Sequence, residues 1–123
     1  MTLLENNKVA LVYGFGEAEQ SIVSEILKGK YKVIDESMGK MKIGDILNGI
    51  KLEVYNCHLP SEKVVLFNNF EDEELKNTMR AIKASIQPSP IFAIVTDTSI
   101  DWTFEYLLEH LVEEREWYKK HGR

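Results

Sequence analysis

Short apolar runs alternate along the chain with longer segments whose apolar residues recur every three or four positions. Two nearly unbroken runs, Val9–Tyr13 and Val64–Phe67, and a third at Ile91–Val95 predict strands covered on both faces, as in a parallel sheet. Tyr31–Ile34 is a weaker strand candidate, and Leu52–Tyr55 is typical of a strand that is half exposed or near an edge. The pattern therefore predicts strands separated by helices.

Amphipathic helices are predicted between these runs. Glu17–Lys28 and Glu71–Ile86 have apolar residues at helical spacing. The second helix is predicted to end before Pro88, because proline cannot continue a helix. A short helix is predicted at roughly Ile43–Asn48, and the last helix is predicted to begin near Asp101, a good N-cap residue. The side chains that the last helix turns to the core are expected to be Phe104, Leu107, Leu108, Leu111 and Tyr118.

Two parts of the chain resemble each other in sequence. Lys8–Glu19 aligns without gaps with Lys63–Glu74, and this match defines a first offset, from Lys8 to Lys63. A second correspondence places Met41–Leu47 on Trp102–Leu108, with a slightly longer offset, from Met41 to Trp102. Two matches in the same order along the chain predict a tandem duplication.

The predicted fold class is therefore α/β, with two tandem β-α-β-α repeats that share one mainly parallel sheet. The repeats cover about residues 8–50 and 63–120 of a single domain, 1–123. Lys51–His58 is a candidate for an extra strand between the two halves.

Charge and composition restrict the function. Fifteen Lys and Arg stand against twenty Asp and Glu, a net charge of −5, which disfavours nucleic acid as a partner. The single cysteine allows no internal disulfide and fits a reducing compartment. No signal-peptide pattern and no apolar stretch of the ~20 residues that cross a bilayer is found, so a soluble, cytoplasmic protein with no membrane association is expected.

A glycine-rich turn follows the first predicted strand, where a dinucleotide-binding loop would lie. Gly14–Gly16 supplies two glycines, but Glu19 occupies the place of the third. Glu17 and Glu19 also lie in the first helical turn, where a phosphate would need the positive end of the helix dipole. A tight turn is therefore predicted, with Phe15 and its counterpart Phe70 closing the core at the strand ends.

The spacing of potential metal ligands and nucleophiles predicts no metal, no cofactor and no catalytic residue. Cys57 and His58 are adjacent, and neighbours in a strand point to opposite faces. His110 and His121 complete the histidines, without any standard ligand spacing. A catalytic role for Cys57 would need a histidine brought near it by the fold.

A polar loop, Thr96–Thr103, joins the third strong strand to the last helix. Ligands of parallel α/β sheets bind beyond the carboxyl ends of the strands. The candidate ligand-binding residues here are Thr96, Asp97, Thr98, Ser99 and Trp102. The alternative, which the residue types favour, is a capping loop in which Asp101 and Ser99 bind backbone N–H groups and Trp102 packs down as a lid.

The amphipathic tail of the last helix carries two adjacent aromatic residues, Trp117 and Tyr118. Exposed aromatic side chains of this kind often mark a partner surface. The tail therefore predicts a homo-oligomer or a protein partner, unless the two rings cap the core of the domain itself.

The second half resembles a known family. The strand Val64–Phe67, the aromatic Phe70 and an acidic helix start are followed by Thr96 and, at a fixed spacing, by Trp102 and Thr103. In this arrangement about residues 62–120 resemble a bacterial and archaeal family of domains of unknown function, whose Thr-x-x-Asn-x-x-Trp-Thr loop precedes a Leu-rich C-terminal helix. Ser99 stands where that family often has Asn, and Arg115 where it often has His.

The resemblance implies no activity, cofactor or substrate. If the Asn and the His carried chemistry in the family, this chain has lost it. The leading hypothesis is a non-catalytic binding or interaction module that can self-associate. The alternative is a small-molecule-binding protein or small enzyme with a polar pocket at the Thr96–Trp102 loop.

Overall fold

The computed structural model describes residues 8–49 and 59–121, and a four-stranded sheet lies at its centre. The strands are β1 (Val9–Tyr13), β2 (Tyr31–Val33), β3 (Val64–Asn68) and β4 (Ile91–Ile94). They lie in the order β2-β1-β3-β4. Every residue of β1 and β3 is buried, as their unbroken apolar runs predict.

Each half of the chain supplies one parallel pair of strands. β1 pairs in parallel with β2, and β3 in parallel with β4, whereas β1 and β3 are antiparallel to each other. The predicted α/β class with one mainly parallel sheet is confirmed. The two most apolar strands pair directly, and this arrangement covers both of their edges.

Helices cover both faces of the sheet. They are α1 (Glu17–Leu27), α2 (Ile43–Leu47), α3 (Asp72–Ser85) and α4 (Phe104–His121), and short 3-10 turns at Glu36–Met38 and Ser99–Asp101 precede α2 and α4. α1 and α3 pack on one face, and α2 and α4 on the other. None of the helices described is both long and apolar enough to span a membrane.

The alternating side chains of the central strands divide the core into two layers. The α2/α4 core contains Leu11 and Leu66 from the sheet and Phe104 from α4. The α1/α3 core contains Phe67 from β3 and Ile82 from α3. All five side chains are almost completely buried, so both layers contribute to the hydrophobic stabilisation of the fold.

The start of α4 differs from the sequence prediction. The helix begins at Phe104, and Asp101 instead ends the 3-10 turn before it. Thr103 takes the capping position, because its Oγ1 accepts a hydrogen bond of 3.1 Å from the backbone N–H of Tyr106. Threonine and aspartate are both accepted at N-caps, so the local sequence does not distinguish the two starts.

The prediction that Ile91–Val95 is covered on both faces is wrong, because the side chain of Ile94, on the same face as Phe92, is 56% exposed. β4 is also an edge strand. The composition of β4 matches that of a central strand, and only the order of strands in the sheet shows the difference. Lys51–His58, the candidate extra strand, lies outside the described residues, and β1 and β3 pair directly where it was expected.

The strand registers follow the two sequence offsets. The antiparallel pairing of β1 with β3 is centred on Leu11 and Leu66, which are separated by the first offset. In the parallel pairs Leu11 is opposite Lys32, and Leu66 is opposite Ala93. The second offset, from Met41 to Trp102, also leads from Lys32 to Ala93, so these two residues have equivalent places on the two edge strands.

Two ion pairs between the halves follow the first offset as well. Lys8 Nζ lies 2.5 Å from Glu74 Oε1, and Lys63 Nζ lies 2.6 Å from Glu19 Oε2. By the first offset, Lys8 corresponds to Lys63 and Glu19 corresponds to Glu74. The two ion pairs are therefore equivalent when the halves are exchanged. We therefore retain tandem duplication as a proposal, and these equivalent contacts support it.

Candidate functional site

Hydrogen bonds between its own groups close the Thr96–Trp102 loop. The N–H of Ser99 donates to Thr96 Oγ1 over 3.1 Å, and the N–H of Thr96 donates to Ser99 Oγ over 3.0 Å. This reciprocal arrangement resembles a capping box. Ser99 is buried, whereas Asp97 and Thr98 are exposed. The Thr96 and Ser99 hydroxyls thus hold the 3-10 turn that follows β4.

Trp102 is half-buried and packs against the α2/α4 core. Its carbonyl accepts a hydrogen bond of 2.8 Å from the N–H of Ile43, and the N–H of Phe104 donates to the carbonyl of Met41 over 2.9 Å. These reciprocal bonds join the segment before α4 to the segment before α2. The Trp102 ring therefore covers the edge of the core at this junction.

Two surface cavities lie away from that loop. A cleft of about 590 Å³ is bordered by the C-terminal end of α1 and by α3, with Lys28 and Glu73 among its lining residues. A groove of about 210 Å³ lies beside β4 and is lined by Met79, Phe92 and Ile94, among others. Neither cavity is lined by any residue of the Thr96–Trp102 loop.

Trp102 begins a row of rings that continues along α4. The Tyr106 ring lies edge-on to Trp102 with centroids 4.7 Å apart, and His110 lies 5.4 Å from Trp102. Further along the helix, Trp117 and His121 stack with centroids 4.6 Å apart. Intervals of four, seven and four positions place Tyr106, His110, Trp117 and His121 on one side of a helix with about 3.6 residues per turn. We call these four side chains the outer aromatic face.

Trp117 and Tyr118, the residues predicted to form a partner surface, are 55% and 63% exposed. Their rings meet edge-on with centroids 5.3 Å apart. The inclusion of Tyr118 in the core stripe was wrong. Residues 116–121 of α4 are all exposed, so the last turns of the helix project past the core that its first turns cover.

Glutamates border the outer aromatic face. Glu109, Glu113, Glu114 and Glu116 are all exposed on α4. Basic side chains are concentrated in the last turn of the helix, where they face the negative end of its dipole. In the middle of α4, aromatic side chains of the outer aromatic face are therefore flanked by negatively charged carboxylates.

Arg115 anchors α4 to the segment before β3. Its Nη1 and Nη2 donate to the two carboxylate oxygens of Glu62 over 2.7 and 2.8 Å, and Glu116 accepts a further bond of 2.9 Å. The hydrogen bond from Arg115 lowers the pKa of the Glu62 carboxyl, and the same bond raises the pKa of the guanidinium. Arg115 thus has a structural contact at the position where the resembling family often has His.

The glycine-rich turn has a steric explanation. Gly14 has φ +90°, and a Cβ built on it would lie 1.9 Å from the carbonyl oxygen of Glu62. Gly16 is the N-cap of α1, and a Cβ there would meet nothing within 4 Å. Phe15 and Phe70 both pack against the α1/α3 core. The crossing of two backbone segments therefore requires the first glycine, and no ligand is needed to explain it.

Within residues 8–49 and 59–121, no three or more His, Cys, Asp and Glu side chains are grouped so that they could hold a metal ion. His110 and His121 lie on the outer aromatic face. Cys57 and His58 lie outside the described residues.

The second half of this α/β fold matches a known family model. Residues 63–118, which comprise β3, α3, β4 and most of α4, match the model of a domain of unknown function (DUF3783). The resemblance of the second half to a family of domains of unknown function is therefore confirmed. No curated protein and no solved structure matches the chain.

The sequence prediction found part of the aromatic surface and missed the rest. It named Trp117 and Tyr118 but not Tyr106, His110 and His121. The available signal was the four-residue spacing from Tyr106 to His110 and from Trp117 to His121, on the side of the helix away from the leucines. The stripe on the leucine side was recognised because apolar periodicity identifies a core face.

Proposed function

We propose that this chain is a non-catalytic protein-interaction module and that it binds its partner through the outer aromatic face of α4, extended by Tyr118. The observation that carries the proposal is the exposure of Trp117, whose side chain is 55% accessible to solvent. Tryptophan and tyrosine are enriched among residues that dominate binding energies at protein interfaces. A protein partner would remove this apolar area from water.

The rings on α4 are already ordered by contacts with one another. Trp117 lies between Tyr118, with centroids 5.3 Å apart, and His121, with centroids 4.6 Å apart. Mutual packing of this kind restricts the rotamers of exposed side chains before a partner arrives. The entropy lost on binding is then smaller, which favours affinity.

The charges around the rings indicate the chemistry of the partner. Glu109, Glu113 and Glu114 border the outer aromatic face with negative charge. A complementary protein surface would place Arg or Lys side chains beside these carboxylates and over the ring faces, and would offer an apolar pocket to Trp117. The proposed partner is therefore a different protein with a basic groove lined by apolar side chains.

The Thr96–Trp102 loop has a structural role in this proposal. The hydroxyls of Thr96 and Ser99 bond to backbone groups of the loop itself, which supports capping as their function. Trp102 contacts both Tyr106 and His110. The loop thus supports the first part of the docking helix.

Site-specific photo-crosslinking tests this proposal. A benzophenone amino acid is placed at the exposed Lys120, one helical turn beyond Trp117, in one variant and at the exposed Ala84 of α3 in a control variant. Trp117 itself is left intact in both. Both variants are irradiated in cells of the source organism. We expect the Lys120 variant alone to give a discrete crosslinked product that contains a second, different protein.

Two results would contradict the proposal. One is an identical set of crosslinks from Lys120 and Ala84, which would show random collisions. The other is a product from Lys120 that contains only a second copy of the chain, which would assign α4 to self-association instead.

A further inference from the structure

The outer edge of β4 has no strand beside it in the part of the chain that the structure describes. Ile91–Ile94 is entirely apolar, and Val95 continues the run. Natural edge strands are usually protected by charged side chains, bulges or a covering element, since an unprotected edge is a template for a further strand. The side chain of Ile94 is also 56% exposed, so an apolar group beside this edge is accessible to a further strand.

Hydrogen bonds to β3 fix which backbone groups of β4 face outward. The N–H groups of Ile91 and Val95 donate to carbonyls on the β3 side over 2.8 and 2.9 Å. Because successive residues of a strand alternate in direction, Phe92 and Ile94 turn their N–H and C=O groups away from β3. A second strand can therefore pair with these two residues without breaking any bond of the sheet.

We propose that β4 pairs antiparallel with β4 of a second copy of this chain, so that one sheet continues across a twofold dimer. In the register that uses the outward backbone groups, Phe92 of each copy exchanges hydrogen bonds with Ile94 of the other. Ala93 then lies opposite Ala93 on the twofold axis, in the position where antiparallel strands approach most closely. The smallest side chain of the strand thus occupies the tightest place.

The side chains of β4 are self-complementary in this register. Phe92 and Ile94 both line the groove beside α3, as Met79 does. Each Phe92 ring would cover the exposed Ile94 of the other copy, and aromatic residues paired with β-branched residues across strands are stabilising. β4 carries no charged residue, so the pairing sets no like charges against each other.

The helix layer is compatible with the same dimer. α3 lies beside β4, since Met79 lines the groove with Phe92 and Lys83 Nζ lies 5.9 Å from the centre of the Phe92 ring. Each α3 packs on β3 and β4 of its own copy. In the dimer the two α3 helices would therefore be separated by about two interstrand spacings, or roughly 10 Å, which is a normal helix packing distance. The twofold axis makes these helices antiparallel, so the acidic first turn with Asp72 and Glu73 lies toward the Lys83 end of the other copy.

The opposite edge of the sheet, β2, is protected against pairing by a charged residue. Lys32 of β2 stands at the place equivalent to Ala93, and its Nζ donates to the carbonyls of Ile46 and Leu47 over 3.3 and 2.9 Å. A twofold pairing of β2 in the equivalent register would set two lysines against each other. Only the β4 edge is therefore suited to pairing with itself.

Sedimentation equilibrium with two matched variants tests the proposal. Ile94→Lys places a charge on the β4 edge, and Val33→Lys places the same charge at the equivalent, 44% exposed position of β2. We expect the wild type and Val33→Lys to be dimers, and the dissociation constant of Ile94→Lys to rise at least about tenfold. Circular dichroism and thermal unfolding of each variant separate loss of pairing from loss of folding.

A disulfide trap tests the register. In a Cys57→Ser background, Ala93→Cys is expected to oxidise to a covalent dimer, and Lys32→Cys, its equivalent on β2, is expected to stay monomeric on a non-reducing gel. A wild type that is monomeric across the concentration series overturns the proposal. So does a dimer that folded Ile94→Lys leaves intact, or a Lys32→Cys variant that crosslinks as readily as Ala93→Cys.

Discussion

Arg115 and Glu62 form an ion pair with two parallel hydrogen bonds, 2.7 and 2.8 Å long, that fixes α4 to the start of β3. Guanidinium and carboxylate groups that meet in this two-pronged way are stronger and more directional than single contacts. The pair explains how a helix whose last turns are exposed keeps its direction.

The first prediction concerns the pH dependence of this pair. Glu62→Gln should lower the free energy of unfolding at pH 7 by about 1 kcal/mol, a modest loss because both side chains remain partly exposed. The folded-state pKa of Glu62 is lowered, so its contribution is complete above the ordinary pKa of about 4.3 and disappears as the pH falls through the lowered value.

Urea unfolding at pH 7 and pH 3 checks this. The difference between the wild type and Glu62→Gln should shrink at pH 3, below the ordinary pKa of the carboxyl, because the unfolded chain then binds a proton that the ion pair in the folded state resists. Glu109→Gln, an exposed change of the same charge on α4, serves as the control and should have little effect at either pH. A Glu62→Gln variant as stable as the control at pH 7 would contradict the structural role of the pair.

The second prediction separates the two glycines of the turn. Gly14→Ser should destabilise the fold by about 2–4 kcal/mol, because its Cβ meets the carbonyl oxygen of Glu62 and its φ is positive. Gly16→Ser should be neutral or slightly stabilising, because serine is a better N-cap than glycine and the space is open. Thermal unfolding of both variants gives the comparison, and equal melting temperatures would refute the steric explanation.

The third prediction compares the two tryptophans. Trp102→Ala should cost roughly 2–3 kcal/mol, less than the loss of a fully buried ring, because Trp102 is only half-buried on the α2/α4 core. Trp117→Ala should change stability by less than about 0.5 kcal/mol, as exposed positions do. Melting temperatures that fall equally in both variants would show that Trp117 belongs to the core and has no need of a partner.

The fourth prediction concerns the proposed duplication. Lys8–Glu74 and Lys63–Glu19 are equivalent in the two halves, so double-mutant cycles with alanine should give coupling energies of the same sign and similar size. Both coupling energies are expected to be small, because the side chains are partly exposed and water screens their charges. One clear coupling and one of zero would argue against equivalent environments.

The sequence predicted the positions of helices and strands along the chain better than it predicted which elements pack beside one another. The apolar runs of β1 and β3 predicted burial correctly because the runs are central in the sheet. The same pattern in β4 suggested burial incorrectly, since strand order depends on contacts between distant residues. Tyr118 failed for a related reason, because helical periodicity does not show where the core beneath a helix ends.

The candidate site could be predicted only in part. The capping role predicted for Ser99 is consistent with the hydrogen bond that its Oγ accepts from the N–H of Thr96. The N-cap of α4, in contrast, was predicted to be Asp101 and is Thr103. Local sequence identifies residues able to cap, whereas the fold selects among them. The contacts of Trp102 with Tyr106 and His110 could not be predicted from helical spacing, because Trp102 lies before the start of α4.

The most direct test of the account is the affinity of the partner identified by crosslinking at Lys120, measured by isothermal titration calorimetry. Trp117→Ala should weaken binding at least about tenfold, because exposed aromatic anchors dominate interface energies. Val33→Ala, which changes an exposed apolar side chain on the far edge of the sheet, should bind like the wild type. If Trp117→Ala remains folded and binds as tightly as Val33→Ala, the outer aromatic face is not the docking surface and the proposed function is wrong.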